Sequence, residues 1–216
     1  GIYDDSFVNS SGEVYLFDGD VSSPTFGDLI RTIVNPELDP GDIILLSNPA
    51  RITDQQHHDE FLSVVFTNFG SSVTAAGNNI LIRRPRTSGG QTVRGGHVVD
   101  ARVYLFDTNG TLLHSFTDPT PADGTQFGKS MAAVGSNIII GSSGKASLFD
   151  SATGSLLHIF PLDPQINFVT SVGDLILIGA FPTIRLYDST SYELLQSITN
   201  AAFAAPVATI TNDFLI

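Results

Sequence analysis

The chain has no cysteine and no tryptophan, a single methionine, and only 10 lysines and arginines among its 216 residues. Without cysteine neither a disulfide nor a thiolate metal site can form, and the redox compartment leaves no trace in the sequence. Set against 22 acidic residues, the few bases give a formal charge of −12. That balance argues against a nucleic acid or an anionic membrane surface as the main partner. No apolar run approaches 18 residues, so no membrane span or insertion is expected. The chain starts at Gly1 with neither Met nor a signal-like segment, and the expectation is a processed or truncated product. Two sequons, at Asn9 and Asn109, are too common by chance to carry weight.

What is present is a globular composition, 42% hydrophobic and 15% charged, with internal repetition. Val14-Tyr15-Leu16-Phe17-Asp18 returns as Val103 to Asp107, as Ala146-Ser147-Leu148-Phe149-Asp150 and as Ile184-Arg185-Leu186-Tyr187-Asp188. A second segment follows each copy: Leu29 to Ile33, Leu112 to Phe116, Leu156 to Phe160 and Leu194 to Ile198. Two more precede it, as in Phe69-Gly70-Ser71-Ser72-Val73 with Asn79-Ile80-Leu81-Ile82, and Phe127-Gly128-Lys129-Ser130-Met131 with Asn137 to Ile140. Weaker copies are Phe168 to Ile178 and Phe203 to Ile216. Each unit thus holds four short strands, A to D.

Period-two alternation puts Val103 and Leu105 on one face and Tyr104 and Phe106 on the other, so strand C is apolar on both faces. Repeated four-stranded antiparallel units with two faces to cover predict an all-β propeller of stacked blades. One propeller, whole or partial, is expected over residues 1–216, with an insertion at about 34–68. The chain opens on strands C and D and closes on A and B. It is therefore either a ring closed by pairing its two ends or a fragment of a larger propeller, and the fragment is the favoured expectation.

The aspartate ending each strand C, at 18, 107, 150 and 188, suits a turn whose N–H groups it accepts, with a following glycine supplying positive φ. His114 and His158 share their place with Arg31 and Gln196. Such a column reads as a polar, half-exposed site on an outer strand, and no catalytic residue is expected. His57-His58-Asp59-Glu60 lacks the spacing that would put two ligands together, so no metal site is expected there.

The B–C and D–A connections emerge on one side of the disc, and they are the long ones. They include residues 1–13, the insertion, and a segment from 83 to 102 that holds Arg83, Arg84, Arg86, Arg94 and Arg102, five of the ten bases. Two readings apply to these arginines. They capture a carboxylate, phosphate or sulfate group, or they pair with Asp54, Asp59 and Glu60 of the insertion.

FGSSVTAAGNNILI, VYLFDTNGTLLHSFTDPTPADGTQFGKSMAAVGSNIIIG and ASLFDSATGSLLHIF resemble the FG-GAP, integrin-α-like propeller repeats of secreted and surface bacterial proteins. The resemblance is clear over 69–160, weaker to 216, and interrupted over 34–68. It implies an extracellular or cell-surface binding scaffold with a protein or glycan ligand, and in some members calcium in acidic B–C loops. Here only Asp4-Asp5 offers such a start, so no cofactor is expected and calcium is a weak option. The strand-Asp-turn-LLH pattern is also similar to quinoprotein propellers, in which tryptophans dock the blades. That gives the alternative expectation of a quinoprotein-like or hydrolase-like enzyme domain using the same face. No tryptophan and no nucleophile motif supports it.

Overall fold

A computed structural model of the chain describes residues 12–37, 68–86, 100–121, 126–162 and 166–199, together with the backbone of two short strands near the end. Strands β1 (Glu13–Phe17) and β2 (Leu29–Val34) form a two-stranded antiparallel sheet. Then come β3 (Ser72–Ala76), β4 (Asn79–Arg84), β5 (Arg102–Asp107) and β6 (Leu112–Thr117), one four-stranded sheet in chain order. The second such sheet is β7 (Met131–Val134), β8 (Asn137–Ser142), β9 (Lys145–Asp150) and β10 (Leu156–Pro161). The third is β11 (Phe168–Val172), β12 (Leu175–Ala180), β13 (Thr183–Asp188) and β14 (Leu194–Thr199). A final hairpin pairs β15 (Ala208–Ile210) with β16 (Asp213–Leu215). The described residues contain no helix. The four-strand repeat read from the sequence is therefore three whole blades, a C–D pair before them and an A–B pair after them.

Strand C is apolar on both faces because each face meets a different sheet. Tyr104 and Phe106 join Ile33, Phe69 and Ile82 in a cluster with Val14, against β1–β2. Val103 and Leu105 join Leu81 and Phe116 against Phe127, Met131, Ile138, Ile140 and Phe149 of the next blade. The pattern advances by one blade in the third cluster, where Ile139, Ala146, Leu148 and Phe160 face Val169, Ile176, Ile178 and Tyr187. Strands β3, β7, β11 and β15 lie side by side as the inner strands. Sheets stacked face to face with their first strands innermost form a β-propeller. Each large side chain buried at a junction contributes about 1.5–3 kcal/mol.

The Phe-Gly pair has a packing reason. Phe69 and Phe127 are buried, while Gly70 and Gly128 have φ of 86° and 79°. The Gly70 and Gly128 N–H groups bond to the carbonyls of Arg83 and Gly141 on their own strand B. A Cβ on Gly128 would stand 2.5 Å from Val103 Cγ2, so a side chain there would push into the preceding blade. In the third blade the equivalent bond runs from Asn167 N to Gly179 O, and Ile166 is the buried neighbour. Ile166-Asn167 thus takes the Phe-Gly place, which explains why Phe168 is out of register with the motif.

Candidate functional site

The four strand-C aspartates are turn residues. Asp150 Oδ1 accepts the N–H groups of Ala152 and Thr153 and the Thr153 hydroxyl. Asp188 Oδ1 does the same for Thr190 and Ser191, and Asp107 Oδ1 accepts from Thr111 N. In Asp18 the Oδ1 accepts from Asp20 N and the Oδ2 from the Thr25 hydroxyl. These donors favour the ionised carboxylate and hold it below its ordinary pKa. The largest contributor is the N–H of Thr153 at Asp150, of Ser191 at Asp188 and of Thr111 at Asp107, and the Ser23 side chain at Asp18. Each carboxylate is committed to its own loop.

The column Arg31, His114, His158, Gln196 does more than occupy an outer strand. In all four units strand D carries a bulge at the same point, Leu113 in the case where Leu105 faces His114 and Phe106 faces Leu112. A bulge re-aims the chain and protects an edge strand from pairing. The residue after it reaches the C–D turn of the following blade. His114 Nε2 lies 3.0 Å from Ala152 O, and a Cβ on Gly154 would stand 2.9 Å from its Nδ1. His158 stacks on Tyr192 at 4.8 Å, and the Arg31 stem lies over Gly110. Where a quinoprotein would place a tryptophan, this chain docks its blades through an arginine and two histidines.

The opposite side of the disc carries the B–C and D–A connections, and charged groups tie neighbouring units together there. At the first junction Glu37 accepts from Tyr104 Oη at 2.8 Å and pairs with Arg102 at 2.8 Å and with the buried Arg84. Arg84 also donates to Asp100 O at 2.9 Å. Burial and the bond to Glu37 hold the Tyr104 phenol well above its ordinary pKa. At the second junction Asp118 pairs with Lys145 at 2.7 Å and accepts from Ser142 Oγ at 2.8 Å. Both latches start from one local device, in which Asn35 or Asp118, each followed by proline, accepts the N–H two residues on. At the third junction Leu162 and Ala180 stand in these places, both buried.

The predicted arginines therefore have distinct settings. Arg83 and Arg84 end β4 and Arg102 begins β5, so they flank the connection. Arg83 is half-buried, donates from Nε to Phe127 O at 2.8 Å, and has its pKa lowered by that burial. Arg86 lies 3.9 Å from Asp100. Arg94 lies outside the described residues, as do Asp54, His57, His58, Asp59, Glu60 and Asp4-Asp5. Among the described residues no group of three or more His, Asp or Glu could hold a metal. The sequence reading did not single out Glu37, Asp118, Ser142 or Lys145. The one available signal was the Asn35-Pro36 and Asp118-Pro119 pairs that follow strand D.

Beside the second latch, Gln126, Lys129, Ser130, Ser142 and Ser143 line a shallow recess with room for about one water molecule. Among the described residues Gln126 Oε1 is buried there without a hydrogen-bond partner, and so is Arg84 Nε at the first latch.

No protein-family model matches the chain, and no curated protein matches its sequence. Among solved structures it is similar to U3-55K, with 10% identity over 60% of this chain and a TM-score of 0.45. BamB from Moraxella catarrhalis matches 64% of the chain at 12% identity and a TM-score of 0.46. Kuenenia stuttgartiensis hydrazine synthase matches 60% at 12% identity and a TM-score of 0.46. The match covers 39%, 37% and 35% of those three chains respectively, so this chain spans well under half of each.

Proposed function

We propose that the chain is a non-enzymatic binding propeller of the FG-GAP kind, acting outside the cell or at its surface. Its ligand would be a protein or glycan bearing an anionic group, held on the B–C and D–A face. The observation that carries this reading is the uneven charge of the three junctions. The second balances Asp118 against Lys145 and the third is apolar. Among the described residues the first gathers three bases, Arg84, Arg86 and Arg102, around two acids, Glu37 and Asp100, in a chain of net −12. That junction also borders the two long connections, and long loops on a rigid scaffold are where recognition concentrates. Arg102 is 41% exposed at its side chain and has the planar fork that matches a carboxylate or sulfate. FG-GAP membership is supported by the two Phe-Gly pairs and their shared backbone bond to strand B.

The test is binding of the purified chain to an array of sulfated, uronic-acid and neutral glycans and to immobilised acidic peptides. Anionic probes should be retained, with at least a tenfold loss in Arg102→Ala and Arg86→Ala and weaker retention as salt rises. Equal retention of neutral probes, or no effect of either substitution, would count against the arginine site. Turnover of an alcohol or sugar, or tight binding of a quinone, would make the chain an enzyme.

A further inference from the structure

The outer strands of the first two whole blades, β6 and β10, open on Leu112-Leu113 and Leu156-Leu157. Period-two alternation would turn one leucine of each pair inward. The bulge prevents it: Phe106 faces Leu112 and Leu105 faces His114, which leaves Leu113 as the extra residue, and Leu157 is extra between Leu156 and His158 in the same way. Both members of each pair therefore stay on the surface, Leu112 and Leu113 at 41% exposed and Leu156 and Leu157 at 44% and 40%. The sequence repeats an apolar pair at the start of β2 and of β14.

Blade docking sets the two pairs on one track. His114, next to Leu113, lies 3.0 Å from Ala152 O, so the Asp150 turn stands between the first pair and the second. The charge along this track has one sign. Residues 103–128 and 146–184 hold no lysine or arginine, while Asp107 and Asp150 end the two C strands and are kept ionised by their loop donors. Arg31 of the preceding unit lies over Gly110, but the turn at Asp150 receives a histidine in its place. The outer rim thus carries exposed leucines bordered by carboxylates, at the opposite end of the strands from the arginines of the first junction.

We infer that this rim docks a basic, amphipathic segment of a partner protein, its apolar side chains on Leu112-Leu113 and Leu156-Leu157 and its lysines or arginines beside Asp107 and Asp150. Apolar contact supplies the attraction and the flanking charge selects the occupant. A second copy of the chain would bring another net −12 and its own acidic turns against the first, and an anionic lipid surface would be repelled likewise. A segment with one apolar and one cationic face satisfies both parts of the rim.

The experiment titrates the purified chain into a fluorescently labelled amphipathic peptide of leucine and lysine and follows anisotropy. Saturable binding that weakens as salt rises is expected. The double variant Leu113→Gln, Leu157→Gln keeps the net charge at −12 and should lose affinity by about tenfold or more. Ser155→Lys, at an exposed position beside Leu156, should weaken binding with circular dichroism and melting temperature unchanged. A leucine–glutamate peptide should not bind, and a lysine–serine peptide should bind far more weakly than the leucine–lysine one. No binding of the leucine–lysine peptide, equal binding by the double variant, or equal binding of the leucine–glutamate peptide overturns the inference. Self-association in sedimentation, or retention on phosphatidylcholine vesicles, that the double variant abolishes would assign the leucines to a second copy or to lipid, and would overturn it equally.

Discussion

The same five residues, Val-Tyr-Leu-Phe-Asp, form β1 with Asp18 and form β5, and their fates differ. Tyr104 and Phe106 are almost fully buried, while more than half of Tyr15 and Phe17 stays exposed. The strand pair is the same in both places, down to the bulge in the facing strand, and each strand C leads into an aspartate that accepts loop donors, although the loop after β1 is longer. Propensity and pattern therefore make the strand pair, and a neighbouring blade makes the core. The contrast also separates strand-C faces that a neighbouring sheet covers, at Tyr104, Phe106, Phe149 and Tyr187, from the Tyr15 and Phe17 face, which no described residue buries.

Removing an aromatic from each copy gives the largest expected effect. Phe106→Ala should cost about 3–5 kcal/mol in urea unfolding, the range for deleting a packed phenylalanine. Phe17→Ala, measured on dilute chain, should cost about 0.5 kcal/mol or less, as for an exposed position. Equal losses would mean that β1 is packed as fully as β5.

A smaller effect sharpens the comparison at the turns. Gly27→Ala and Gly154→Ala both force a side chain into left-handed backbone, a strain of about 1–2 kcal/mol. Only the second also pushes against a docked residue, since its Cβ would meet His114 at 2.9 Å. Gly154→Ala should therefore lower the melting temperature more than Gly27→Ala, and His114→Ala should remove part of the difference.

The smallest effect is with pH. The turn aspartates have folded pKa values below their ordinary one, because the loop donors bond the ionised form. Their contribution is fully present above the unfolded value near about 4 and is lost as pH falls through the folded values. Thermal stability should be flat from neutral pH to about 5 and decline below about 4. Asp150→Asn should flatten part of that acid decline. All four carboxylates are exposed, so the change per residue is small.

Much of the fold was legible because it repeats. Four copies of strand C with two apolar faces require sheets on both sides, and a blade stack satisfies that. The turn role of Asp107 and Asp150 was legible too, since aspartate followed by glycine at turn spacing has a direct backbone explanation. The latches were not legible. Glu37 is 65 residues from Arg102 in sequence and Asp118 is 27 from Lys145, and nothing local marks either pair as neighbours.

By itself the sequence determined the all-β repeat, the alternation that gives strand C two apolar faces, the capped turns, and the side on which the long connections emerge. Each of these depends on contacts within a few residues or on a period of two, so it is written in order along the chain. Only the tertiary structure decided which copy of Val-Tyr-Leu-Phe-Asp is buried, that Arg31, His114 and His158 dock blades, and that Ile166-Asn167 replaces Phe-Gly. Those outcomes depend on which blade stands next to which, and burial belongs to a pair of surfaces and not to either sequence alone.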